Sequence, residues 1–182
     1  MRKAFISIAA LAILLAAGAA LAQERALPVA AFYGVFSGGG VAESEDSAYF
    51  GVTARDLDVV IRADGPGFSV AWTTVIRQGG DPKNPNVRRR VTVKTFAPIA
   101  GRPNVYRAVD SGEPLSGQET VWARVHGSTL TIYLLSVELD GTYEVQRYDR
   151  TMASDGMQLA FTREKDGEQV RKVTGRMVKQ GN

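Results

Sequence analysis

The chain has 182 residues, of which 45% are hydrophobic and 23% charged, and a formal net charge of +3. That length suits one domain, and that balance excludes a disordered chain. With no cysteine and one histidine, it has no disulfide, thiolate metal centre, cysteine nucleophile, cysteine-borne bacterial lipid anchor or multi-histidine metal site.

The chain opens on Arg2 and Lys3, runs apolar from Ala4, and reaches Ala20-Leu21-Ala22 before turning polar at Gln23. A positive start, an apolar stretch and a small-residue cleavage site make a secretory signal peptide over residues 1–22. A membrane-anchoring helix is the competing reading, since the run approaches the ~20 residues that span a bilayer. Cleavage near Ala22 removes Arg2 and Lys3, so 22 basic groups become 20 against 19 acidic ones and the net charge falls to +1. No later run is long enough to cross a membrane as a helix. A periplasmic or secreted protein without stable membrane insertion is expected, with residues 23–182 forming one β-barrel domain.

Beyond the signal the dominant period is two. Phe68, Val70, Trp72 and Ile76 share one face, as do Met157, Leu159 and Phe161; this alternation marks strands with one buried side. Asp64-Gly65, Gly127, Asp140-Gly141, Asp155-Gly156 and Asp166-Gly167 separate such runs, and Asp-Gly supplies the positive φ of a tight hairpin. Strands are expected at 31–37, 56–63, 68–77, 87–96, 104–109, 118–126, 129–138, 142–151, 157–164 and 169–179. Residues 38–55 and 78–86 are expected as longer connections, with room for a short helix at 44–49. Sequential hairpins favour closure over a Greek key. The expected fold is therefore all-β: an antiparallel up-and-down (meander) β-barrel of about 8–10 strands.

This pattern, with Tyr33-Gly34-Val35-Phe36 at the start, a long first connection and a basic last strand, resembles the calycin barrels: lipocalins, fatty-acid-binding proteins and avidins. Gly34-Val35-Phe36 stands where lipocalins carry G-x-W, and Arg176 is the counterpart of the arginine that packs over that tryptophan. The carboxylate-binding R-x-Y of fatty-acid carriers is absent, and Tyr148-Asp149-Arg150 has its residue types in reverse order. The resemblance implies ligand carriage inside the barrel.

Phe68, Val70 and Trp72 are the candidate ligand-lining residues, against a filled core as the alternative. Arg89 shares a face with Val87, Val91 and Val93, and Arg107 lies between Val105 and Val109. On an inward face each would meet a ligand carboxylate or phosphate; otherwise each pairs with an internal acid or sits at the mouth. Arg88-Arg89-Arg90 with Lys94 reads as a charged strand edge, not a nucleic-acid footprint. The segment 130–137 is apolar on both faces, so Tyr133, Leu135 and Val137 form a candidate interface for a homodimer or an envelope protein.

No catalytic, metal or cofactor site is expected. His126 precedes a turn and no serine stands in a nucleophile elbow. Glu43, Glu45 and Asp46 read as a solvated acidic loop. The expected function is an exported, non-enzymatic binding protein for a small apolar or amphipathic ligand. The alternative is an envelope assembly factor or inhibitor acting through the apolar face.

Overall fold

A computed structural model describes residues 25–44, 52–77 and 85–181. The expected signal peptide, most of the helix expected at 44–49 and most of the connection expected at 78–86 lie outside the described residues. Ten strands form one closed antiparallel barrel. They are β1 (Gly34–Ser44), β2 (Val52–Asp64), β3 (Gly67–Arg77), β4 (Val87–Pro98), β5 (Val105–Ala108), β6 (Thr120–His126), β7 (Thr129–Val137), β8 (Tyr143–Ala153), β9 (Gly156–Lys165) and β10 (Glu168–Gly181). Each pairs with its sequence neighbours, and β1 pairs with β10 to close the ring. The all-β meander expected from the alternating pattern is thus the observed fold.

The turns follow local chemistry. Gly65 and Gly127 sit at φ 52° and 54°, where a side chain is strained. Gly156 is different: it pairs with Ala153 and begins β9. A Cβ there would overlap the Met177 carbonyl oxygen, so this glycine serves close strand approach rather than turn geometry.

The first strand corrects the expected boundaries. Gly38-Gly39-Gly40 is not a connection but the middle of β1, paired with β2 on one side and β10 on the other. Cβ atoms at Gly38 and Gly40 would overlap the carbonyl oxygens of Arg176 and Thr174. The missing side chains let β10 fold tightly over β1, and Leu57 lies across Gly40 and Gly175.

One end of the barrel is filled. Phe36, Phe68, Val70, Ile132, Met157 and Met177 are fully buried there. Phe68 stacks on Phe96 at 4.9 Å and meets Tyr106 edge-on at 5.0 Å, geometries that ring quadrupoles favour. A 3-10 turn, Val29–Phe32, plugs this end with buried Phe32, and Leu27 N–H donates to the Gly127 carbonyl at 2.9 Å.

Strand β5 pairs with β4 only from Phe96 to Pro98. Beyond that point Lys94 Nζ reaches Asp110 Oδ2 at 2.8 Å and Glu119 Oε2 at 3.3 Å. Arg176 also departs from its lipocalin-like expectation. It is exposed and grips both oxygens of Asp155 at 2.9 and 2.7 Å, while Phe36 is buried among apolar neighbours.

Candidate functional site

The other end of the barrel holds a cavity of about 280 Å³, close to the lower limit of small-molecule sites at ~300 Å³. Its apolar belt is Leu57, Val59, Trp72, Leu159, Phe161 and Val173. Its charged lining is five arginines, at 55, 90, 150, 163 and 171, against the two carboxylates Asp58 and Glu144. The lining therefore carries an excess of three positive charges.

Strand β8 organises this cavity. Glu144, Gln146, Tyr148 and Arg150 alternate along it and all line the space. They are joined from rim to depth. Arg163 Nη2 lies 2.6 Å from Glu144 Oε2. Gln146 Nε2 donates to Glu144 Oε1 at 2.7 Å, and Tyr148 Oη donates to Gln146 Oε1 at 3.0 Å. Burial alone would raise the Glu144 carboxyl, but the hydrogen bonds from Arg163 and Gln146 outweigh it and hold the carboxyl below its usual range. Burial raises the Tyr148 phenol, which keeps it a neutral donor.

Arg150 stands at the deep end of this ladder and is 1% exposed. Its Nε and Nη1 have no hydrogen-bond partner among the described residues. The guanidinium carbon lies 5.2 Å from the Trp72 ring centre and 5.3 Å from that of Tyr148, within cation–π range. Tyr148 in turn packs on Trp72 at 5.1 Å and Phe161 at 4.5 Å. The adjacent acid is no partner, because strand alternation turns it to the other face. There Asp149 accepts from Thr131 Oγ1 at 2.7 Å and Arg147 Nε at 3.1 Å. Burial pushes Arg150 down to about 10, still charged at neutral pH. A buried unpaired charge costs several kcal/mol unless something compensates it.

Of the residues singled out in the sequence, Trp72 lines the cavity, whereas Phe68 and Val70 belong to the filled end. Arg89 does not share an inward face. Val91 and Val93 are 61% and 59% exposed, Arg89 is exposed with them, and Arg90 and Thr92 line the cavity instead. The rule that valines mark the interior inverts here because the lumen beside β4 is polar. Arg107 is also exposed, 3.5 Å from the Ser111 carbonyl, while Ala108 belongs to the core and Tyr106 packs against it.

Tyr133, Leu135 and Val137 are half-buried. Tyr133 stacks on Trp122 at 4.8 Å, and the 3-10 turn Pro114–Ser116 packs against β7. His126 is exposed beside its turn, outside the cavity lining. Among the described residues no group of acids and histidine is placed to hold a metal ion.

Arg150 and the rim arginines escape a search for apolar faces. The available signal is β8 itself, a strand with charged or polar residues on both faces between the apolar-patterned β7 and β9. No known protein family matches the chain, and neither does any curated protein.

Proposed function

We propose that this protein is an exported, non-enzymatic carrier that holds a small amphipathic ligand with an acidic head inside its barrel. The observation that carries this reading is Arg150: a fully buried guanidinium with two unpaired nitrogens, aromatic on its flanks, at the deep end of a cavity. A carboxylate or phosphate would satisfy those nitrogens and compensate the buried charge. The ligand's apolar part would lie against Leu57, Trp72, Phe161 and Val173. The closed ten-strand meander fits the calycin architecture, in which such carriage is common, and export follows from the signal-like residues 1–22.

Titration with 8-anilinonaphthalene-1-sulfonate, an anionic amphiphile, tests the reading through probe emission and tryptophan quenching, with competition by linear fatty acids. Saturable binding is expected. Arg150→Met should weaken it by about tenfold or more, the worth of a charge-assisted hydrogen bond. Arg89→Gln, on the outer surface, should leave it unchanged. Absence of saturable binding, or wild-type affinity in Arg150→Met, overturns the reading. Sequencing the amino terminus of the protein recovered from an expressing bacterium checks export, with Gln23 expected first.

A further inference from the structure

Strand β4 is paired on one side only for most of its length. Its ladder with β3 runs in unbroken register from Val87 to Phe96, whereas its ladder with β5 covers Phe96 to Pro98. The Thr95 carbonyl accepts from Val109 N–H at 2.9 Å, and Ile99 N–H donates to the Val105 carbonyl at 3.1 Å. Odd-numbered residues therefore turn their backbone groups toward the β5 side. Strand alternation extends that rule back to Val87, Arg89, Val91 and Val93. Their N–H and C=O groups form an edge with no ladder partner among the described residues.

The side chains along this edge sort by the same alternation. Val87, Val91 and Val93 are exposed on the outer face, with Arg89 among them. Arg90 and Thr92 line the cavity, and Arg88 shares their face. Lys94 is held by Asp110 and Glu119, which leaves the three exposed arginines to set the charge of the edge. The stretch from Val87 to Lys94 contains no acid. Pairing two copies edge to edge would bring like charges together, which opposes self-association. A strand of opposite charge is attracted instead.

We propose that the free edge of β4 binds an extended segment of a partner protein by strand addition, the segment alternating apolar and acidic residues. Its backbone pairs with Val87, Arg89, Val91 and Val93, and these main-chain bonds supply affinity. Its apolar side chains lie beside Val91 and Val93 on the outer face. Its acids face Arg88 and Arg90, which select the partner by charge. The added strand prolongs the wall where β5 ends. This interaction does not depend on the carrier reading.

Amide hydrogen exchange reads the edge directly. In the free protein the N–H groups of Arg89, Val91 and Val93 should exchange fast, and those of Arg90 and Thr92, bonded to β3, slowly. A short fluorescein-labelled peptide alternating valine and glutamate is then titrated, with a valine–lysine peptide as its counterpart. The glutamate peptide should bind saturably by anisotropy, about fivefold or more tighter than the lysine peptide, as a few exposed ion pairs allow. Exchange at Arg89, Val91 and Val93 should slow on binding. Arg88→Glu combined with Arg90→Glu should reverse the peptide preference. Val91→Pro removes an edge donor without touching the β3 ladder and should weaken the glutamate peptide about fivefold, the worth of one backbone hydrogen bond. Slow exchange of the edge amides in the free protein overturns the proposal, and protection that grows with protein concentration assigns the edge to a second copy and overturns it too. So does a glutamate peptide that fails to bind, binds no tighter than the lysine peptide, or leaves the edge amides unprotected. The peptide comparison on the unaltered protein decides the matter even if the variants do not fold.

Discussion

At Arg150 the protein spends stability on a charge. Burial lowers its pKa from the ordinary arginine range to about 10, which corresponds to roughly 3 kcal/mol set against folding at neutral pH. The sign follows from linkage. The penalty is full below about pH 10, where both folded and unfolded forms are charged. It is relieved as pH climbs above about 10 toward the ordinary arginine range. Arg150→Met, which keeps the side chain's bulk without the charge, should therefore unfold at higher temperature and urea concentration than the parent at pH 7, while losing the anionic probe. Equilibrium urea melts of the two proteins measure this, and a less stable variant would contradict the unpaired-charge account. Probe affinity has its own pH signature. The sulfonate stays ionised throughout, so affinity should be flat near neutrality and fall as pH rises through about 10. Titrations at a series of pH values read it directly.

Among the elements, β1 and β8 break ordinary strand habits for different reasons. β1 carries three consecutive glycines where an interior strand usually carries bulk, and at Gly38 and Gly40 β10 passes too close for a Cβ. Gly38→Ala should cost about 1–3 kcal/mol, as overpacking does, and calorimetric melting would register the loss. The pattern Gly-Gly-Gly reads as a linker when only composition is weighed, since nothing in the sequence announces a neighbouring backbone. β8 breaks the other habit. Hydrophobic alternation locates strands whose inner face meets other side chains, so β3 and β9 were legible from Phe68–Trp72 and Met157–Phe161. It fails where the inner face meets open space, and there polar residues point inward while valines such as Val91 and Val93 point out. Arg89 was misplaced, and Arg90 and Arg150 passed over, through that one assumption. The tyrosine–arginine spacing in β8 was visible, but only its order was weighed, not its depth.

For the whole molecule, closure and order were readable because hairpin signals recur along the chain and leave little choice of topology. The division into a filled half and a hollow half was not readable. Phe68 and Trp72 occupy the same face of β3 four residues apart, yet the first meets Phe96 and Tyr106 while the second meets the cavity. What separates them is which strands and plugs lie opposite, and only the closed ring decides that.

The seam between β1 and β10 has one more consequence, for how the ring is made. Every other ladder joins strands adjacent in sequence, so its loop-closure cost is small and its hairpin can form early. The seam alone joins Val35 to Gly181, across most of the chain, and contacts of such separation slow folding. A circular permutant that links residue 181 to residue 25 through a flexible spacer, and begins instead at the exposed Asp140–Gly141 turn, turns the seam into a local hairpin. The longest-range closure then falls between β7 and β8. Stopped-flow refolding should show whether the rate follows the position of that stitch. If it does, the order of assembly belongs to where the chain is cut, and the finished barrel keeps no record of it.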